Sequence, residues 1–475
     1  MKYIFSFLLS LCCLSIYPQS WTHVGTLTPP SDFNPIHFGR TFAIHGGQVI
    51  IGDFETYSNS INSSGGAAFV YAENADGVWA FKQTILPSRP FPVGNFGRSV
   101  ALEGETLVIG APATNYNSTD TYVPGQKIVY IYELDDKGMW QESQQIEKWQ
   151  VEGNRFGKSL FLNSDDLLLN EDLNSDLFRK QSSGQWTKSE VEVRDMSGSS
   201  GERERSIAAI EGNYALEVDH SVPLGVGKIY IYEETCPHLW ENIQHVEFSL
   251  PPGMGSWEIT GDFVGEYLFL PLSKAEDIPG FQTGKVYVFK RNEDGSWSQV
   301  QVLEEPELNY KGRFGRAVAA DYRLLAIQSS IFIHIYEISN NGEWVHQTAI
   351  RKPQGAGQTF AWNLALDGRT LLASDSRKTH VFTFDGENEE PIHEDLVEIN
   401  IFPNPVEEVL NIHVDSPDPL TSMQISNSMG QVVLHEDVSG NSLRCRKMLR
   451  GLPGVYLLSL QFESGKRRTQ KVLKK

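Results

Sequence analysis

Residues 20–27 read SWTHVGTL: a tryptophan, then a short run of alternating polarity, with no neighbouring segment to pair with it. The same shape returns as VWAFKQTIL (78–86), MWQESQQI (139–146), QWTKSEVEV (185–193), LWENIQHVEF (239–248), SWSQVQVL (296–303) and EWVHQTAI (343–350). Alternation of this kind marks half-buried β-strands. The opening stretch therefore reads as one quarter of a repeat whose other three quarters lie elsewhere in the chain.

The tryptophans of these seven segments, Trp21, Trp79, Trp140, Trp186, Trp240, Trp297 and Trp344, stand 46 to 61 residues apart. Periods near 50 residues that hold several short strands are the mark of a β-propeller. Each period opens on a segment such as HFGRTFAI (37–44), NFGRSVAL (95–102), RFGKSLFL (155–162) or RFGRAVAA (313–320). A tight turn and an apolar strand follow (VIIGD, LVIGAP), then a loop of variable length. A third strand (GAAFVYA, QKIVYIYE, GKIYIYE, GKVYVFK, IFIHIYE) and an acidic or Gly-bearing turn lead to the tryptophan strand. Four hairpin-linked strands make one twisted blade. Blades begin near Phe38, Phe96, Phe156, Arg205, Trp257, Phe314 and Phe360, which predicts seven.

The seventh unit, TFAWNLALDGRTLLASDSRKTHVFTFD, stops after three strands. SWTHVGTL is the spare fourth. The sequence thus predicts that Thr22–Leu27 pairs beside His380–Phe384 and closes the ring, hiding two sheet edges that would otherwise invite aggregation. The expected fold class is all-β: a seven-bladed β-propeller closed by an N-terminal strand, followed by a small C-terminal β-sandwich. The repeated Phe-Gly pairs and the tryptophans read as packing between blades, with glycine allowing close backbone approach where the chain enters a blade.

Residues 1–19 hold one lysine and then the apolar run YIFSFLLSLCCLSIY, the pattern of a secretory signal peptide and too short to span a bilayer. Of the four cysteines, Cys12 and Cys13 belong to this leader. Cys236 and Cys445 remain, far apart, so no disulfide framework is expected. The chain of 475 residues carries a net charge of −20, but the last 80 residues are slightly basic, leaving a body near −23. Such a body repels nucleic acid and anionic lipid. No nucleic-acid partner and no stable membrane insertion are expected.

At NFGRSVALEGETLVIGAP the chain resembles the FG-GAP repeats that build the propellers of integrin α chains and many bacterial surface proteins. Blades 1, 2, 3 and 6 keep Phe-Gly, blades 4 and 5 have lost it, and blade 7 has Phe-Ala. The calcium loop of many such blades needs an acidic triplet between the first two strands. Here those connections are as short as EGET and DGRT, which cannot supply six to eight oxygens. Neither calcium nor any other metal or cofactor is expected.

Residues 398–475 resemble the C-terminal sorting domain of cargo for the type IX secretion system. The resemblance rests on Asn404-Pro405 in INIFPNPVEEVLNI, Gly430 in ISNSMGQVV, Gly454 and Tyr456 in LPGVYLLSL, and a basic end with Lys471, Lys474 and Lys475. It implies export by the leader and then recognition of this domain by type IX machinery. The protein is then secreted or held on the outer-membrane surface of a Gram-negative bacterium. The expected domains are a leader at 1–19, a propeller at 20–385, an acidic linker at 386–397 and the sorting domain at 398–475.

Catalytic spacings are missing: there is no H-E-x-x-H, no Cys/His cluster and no G-x-S-x-G. The long connections between second and third strands in blades 1, 2 and 5 mix aromatic with polar residues, as adaptable recognition loops do. Tyr57, Tyr116, Asp120, Tyr122, Asp277 and Phe281 are the candidate contacts. The expected function is non-enzymatic binding or adhesion to an extracellular protein or glycan. The alternative is a polysaccharide hydrolase or lyase, because an acidic body holds many carboxylates that could pair.

Overall fold

The computed structural model describes residues 20–475 except 56, 59–64, 90–93, 113–126, 149–159, 164–165, 171–174, 182, 189–204, 212–213, 220–225, 237–238, 250–260, 274–283, 293–294, 307–312, 322, 340, 358–359, 376, 385–397, 403–405, 407–408, 428–430 and 463–466. The leader and the acidic linker lie outside the described residues.

Seven four-stranded antiparallel sheets form the body. Blade 1 runs Thr41–His45, Gln48–Asp53, Ala67–Glu73 and Trp79–Ile85, and the next five blades repeat this order from the inside outward. The inner strands of blades 2 to 7 are Ser99–Glu103, Leu160–Asn163, Arg205–Glu211, Asp262–Val264, Val318–Asp321 and Leu364–Asp367. Each inner strand packs against that of the next blade, and the seventh packs against the first, so the sheets close into a ring. In blade 5 the strand begins at Asp262; Trp257, from which the blade was counted, lies outside the described residues.

Ring closure follows the expected register. Trp21–Leu27 is the outer strand of blade 7, antiparallel to Lys378–Phe384, with Thr22 opposite Thr383, Thr26 opposite His380 and Leu27 opposite Thr379. Among the described residues, the other three strands of blade 7 all lie within residues 364–384.

The apolar residues of the strands meet those of the next blade, and the Phe-Gly pairs sit at these seams. Phe38, Phe96, Phe314 and Phe360 are almost wholly buried. Phe96 packs among Ile50, Ala68 and Val70 of blade 1 and Leu107 and Ile109 of blade 2. Burying such a ring contributes about 1.5–3 kcal/mol. Gly97 explains why glycine follows: its φ is +87°, and a Cβ there would stand 2.6 Å from the Ala67 carbonyl oxygen of the preceding blade. Blade 7 manages with Ala361, held at φ 57°.

Six of these tryptophans pack against the preceding blade: Trp140, Trp186, Trp297 and Trp344 are buried, and Trp21 and Trp79 half-buried. Four seams carry a further device. The amide of Gln83 donates to the Trp140 carbonyl and accepts from its N–H, both at 2.9 Å. Gln144 clasps Trp186 in the same way at 2.7 and 2.8 Å, Gln244 clasps Trp297 at 2.7 Å twice, and Gln301 clasps Trp344 at 2.9 Å twice. Each glutamine stands four residues after its own blade's tryptophan and just past a β-bulge in the outer strand. A bulge bends a strand locally, and here it brings the amide to the neighbouring blade.

The C-terminal unit is a sandwich made by folding one sheet over. Glu398–Phe402, the first half of Val409–Asn427 and the second half of Val432–Met448 form one layer. The remaining halves join Gly454–Phe462 and Arg467–Lys474 in the other. Register breaks between Asp415 and Leu420 mark the fold. Leu410, Ile412 and Val414 from the first layer meet Met423, Ile425, Leu458 and Leu460 from the second.

Candidate functional site

In an antiparallel blade the start of the inner strand lies beside the end of the second strand, as Thr41 beside Gly52 and Ser99 beside Gly110. The long second-to-third loops therefore leave from the same face at which each chain enters its inner strand. Where the structure describes it, the residue that follows Phe-Gly stands on this rim: Arg40 in blade 1, Arg98 in blade 2 and Arg316 in blade 6, while Lys158 of blade 3 lies outside the described residues. In blade 7 the place after Phe-Ala is taken by Trp362.

Contacts join these four positions into one arc. The Arg316 guanidinium lies 3.8 Å from the Trp362 ring centroid. Asn363, next to Trp362, reaches the Arg40 carbonyl at 3.4 Å. Thr41, next to Arg40, donates to the Gly97 carbonyl at 2.8 Å, and Arg98 follows Gly97. Arg98 in turn stacks over Phe54 at 4.2 Å. Arg40 is exposed, Arg98 and Arg316 are half-buried, and Trp362 keeps 45% of its surface open.

The charges at the rim are strained. Burial lowers the pKa of Arg98, and the charge of Arg40 lowers it further, with Glu55 opposing. Burial also lowers Arg316, helped by Arg313. Like charges disfavour each other's ionised form, although guanidinium stays protonated in water. None of Arg40, Arg98, Arg313 and Arg316 makes an ion pair among the described residues. Glu55 instead meets His37 at 3.0 Å.

Buried acids hold the loops behind the rim. Asp53 accepts the backbone N–H groups of Ile36 at 3.1 Å and His37 at 3.0 Å, and burial raises its pKa against these bonds. Asp375 likewise accepts the backbone N–H of Gly357 in blade 7, at 2.8 Å. Asp262, at the start of the inner strand of blade 5, accepts from the backbone of Ala320 in blade 6. By area Asp262 retains some solvent contact, but its carboxyl is packed among protein atoms, and this burial pushes its pKa up to about 7. Among the described residues no group of three or more His, Cys, Asp or Glu is placed to hold a metal ion, and no helix is long and apolar enough to cross a membrane.

Of the six loop candidates, the structure describes only the backbone of Tyr57. It lies in a two-residue strand, Tyr57–Ser58, paired with Phe33–Asn34, so this loop folds back on the segment that follows the closing strand. Tyr116, Asp120, Tyr122, Asp277 and Phe281 lie outside the described residues. So do Asn404, Pro405 and Gly430 of the sorting motifs. Gly454 opens a strand opposite Lys474, and Tyr456 is buried with its hydroxyl donating to the Leu452 carbonyl at 2.9 Å. Lys471 is exposed opposite Leu457 on the last strand, and the Lys475 N–H donates to Val406, one residue past Pro405. The rim residues Arg40, Arg98, Arg316 and Trp362 escaped the sequence reading. Their signal was present in the segments already aligned, as the residue after each Phe-Gly or Phe-Ala.

The chain is thus a seven-bladed β-propeller with a separate β-sandwich at its C-terminal end. Residues 400–475 match the model of the secretion system C-terminal sorting domain. The tail is a sorting domain of this kind and directs the protein through the type IX secretion machinery, to the cell surface or beyond it. No curated protein sequence matches the chain. Similar solved structures include a Lactobacillus plantarum protein, at 11% identity and a TM-score of 0.44, covering 85% of this chain and 99% of that one. PorZ of Porphyromonas gingivalis, an essential bacterial surface component of the type-IX secretion system, shares 11% identity at a TM-score of 0.32, over 91% of this chain and 75% of its own. The periplasmic gluconolactonase PpgL of Pseudomonas aeruginosa shares 14% identity at a TM-score of 0.39, over 82% and 97%. No function is carried over from likeness at this level.

Proposed function

We propose that the protein is a secreted or surface-held binding module that recognises an extracellular protein or glycan through the long-loop face of its propeller, in adhesion or capture. The observation that carries this reading is the arc of Arg40, Arg98, Arg316 and Trp362: cations without ion pairs among the described residues beside an open indole, on the face from which the long loops leave. In this reading residues 1–19 are a cleaved leader, 20–385 an FG-GAP-type propeller, 386–397 a linker, and 398–475 the sorting domain. Tyr57, Tyr116, Asp120, Tyr122, Asp277 and Phe281, from the long loops, would add specificity to that recognition. The test is binding of the purified full chain to glycan arrays and to host-matrix and bacterial-envelope fractions. Retention that is lost on replacing rim residues supports the reading; absence of any binding removes it.

A second reading, a polysaccharide hydrolase or lyase, draws on Asp262, whose pKa burial pushes up to about 7, the range of a general acid; it requires that substrate reach a carboxyl packed among protein atoms. Turnover of a polysaccharide panel, abolished in Asp262→Asn, would establish it. Binding without turnover favours the first.

A further inference from the structure

We infer that the rim of Arg40, Arg98, Arg316 and Trp362 binds an acidic glycan, a sugar ring bearing a carboxylate, sulfate or phosphate group. The arginines hold the anion and the indole takes a face of the sugar. This names the ligand class for the recognition role proposed above and rests on that role.

The argument begins with charge. In a chain of net charge −20, these cations gather on one edge of the propeller at the same repeat position in three blades. Among the described residues no carboxylate forms an ion pair with them; Arg40 acts on Arg98 and Arg313 on Arg316 as like charges, and only Glu55, engaged with His37, partly offsets this at Arg98. Placing like charges together is unfavourable unless an anion joins them. Guanidinium groups match carboxylate, sulfate and phosphate oxygens with paired, charge-assisted hydrogen bonds. The second part of the argument is Trp362. It sits between blade 6, whose Arg316 covers one region of the ring, and blade 1, whose Arg40 backbone meets the adjacent Asn363. An indole with 45% of its surface open beside cations offers an apolar plate next to an anion site. Sugars present just such a combination, a face of C–H groups with a charged substituent at its edge. An extended acidic peptide would use the arginines and leave the plate uncovered. The acidic body repels any long polyanion, nucleic acid included, so the fitting ligand is a short glycan whose anionic group lies at the arginines and whose ring lies on the indole.

The test uses the purified full chain and isothermal titration with four probes: oligogalacturonate, a heparin-derived sulfated oligosaccharide, a neutral cello-oligosaccharide of equal length, and polyglutamate. The two acidic sugars distinguish carboxylate from sulfate. At least one should bind, the neutral sugar at least tenfold more weakly, with affinity falling as salt rises. Arg98→Gln and Arg316→Gln should each weaken binding about tenfold or more, with Arg98→Lys intermediate. Trp362→Ala should weaken the acidic sugar about tenfold and leave any polyglutamate binding unchanged. Trp362→Phe, which keeps a ring, replaces it if the alanine variant does not fold. Equal binding of the neutral sugar, or arginine variants that bind every acidic sugar as the parent does, overturns the inference. So does polyglutamate binding as tightly as the sugars with no response to Trp362. A ligand captured by the loop face with full affinity in the arginine variants leaves the recognition role standing without this ligand class. Failure of all four probes and of every glycan or matrix fraction removes both.

Discussion

The seams between blades 1 and 2, 2 and 3, 4 and 5, and 5 and 6 are clasped at their outer strands by glutamine amides, whereas the two seams of blade 7 are not. At the clasp position blade 6 has Thr348, and the closing strand has Gly25. The seam between blades 3 and 4 would use Glu190, outside the described residues. Blade 7 is instead tied at the inner strands. Asp321 accepts the Gly368 N–H, Asp367 accepts the Gly46 N–H at 2.9 Å, and Asn363 meets Arg40. Its outer strand is further held by imidazoles. His23 bonds His380 at 3.0 Å, Thr26 meets the same His380 nitrogen at 3.2 Å, and the other His380 nitrogen faces Asp375 at 3.5 Å. Six blades arise from local hairpins and need only seam contacts to line up. The seventh must recruit a strand from more than 350 residues away, so its bonds go into holding that strand.

The largest effect should follow from removing the strand itself. Deleting residues 20–27 exposes both the edge of Lys378–Phe384 and the apolar seams against blades 6 and 1. The loss is comparable with the whole stability of a domain, on the order of 5–15 kcal/mol. Circular dichroism and limited proteolysis should report an open or unfolded body; a melting temperature equal to that of the parent would break the comparison.

Backbone approach at a seam comes next. Gly97→Ala combines a left-handed φ with a Cβ 2.6 Å from a carbonyl oxygen, and should cost about 2–4 kcal/mol by denaturant unfolding. Blade 7 tests the same position in reverse. Ala361→Gly should be neutral or stabilising by up to about 1 kcal/mol, because it relieves φ 57° at the cost of unfolded-state entropy.

The clasps rank third. Gln144→Ala leaves the Trp186 backbone N–H and carbonyl without that partner and should cost about 1–2 kcal/mol. Thr348→Gln would build the missing clasp onto Trp21 and should raise the melting temperature by a few °C at most, read by calorimetry.

The smallest effect is one of pH. Burial lowers the pKa of His380, and the charge of His23 lowers it further, while Asp375 opposes. Partial burial also lowers the pKa of His23, with a hydrogen bond to the Gly25 backbone opposing it. A histidine whose folded pKa lies below its unfolded value of about 6.5 takes up its proton on unfolding. Stability from this pair is therefore complete above pH 6.5 and declines as pH falls below it. Lys378 adds to the penalty on charging His380. The melting temperature should drop by a few °C more between pH 7 and 5 in the parent than in His380→Gln, while Gln144→Ala should leave the pH slope unchanged.

The blade count and the closing register were legible because each rests on a local pattern. Alternation, a tryptophan at a steady period and a seventh unit short of one strand left SWTHVGTL a single place to go. The rim was written in the same segments, but its importance was not. Arg40, Arg98 and Arg316 each follow a Phe-Gly and read singly as ordinary surface charges. The clasps were visible too, as glutamines four residues after Trp79, Trp140, Trp240 and Trp297, yet nothing local says what an exposed amide will meet.

By itself the chain determined its strands, their grouping into blades and its export tail, since these depend on periodicity and on neighbours within about 60 residues. Only the tertiary structure decided which polar side chains meet across a seam, which arginines gather beside Trp362, and that two histidines from opposite ends of the propeller share a hydrogen bond. Those relations depend on distances of a few ångströms between residues far apart in sequence. Ring closure alone sets such distances.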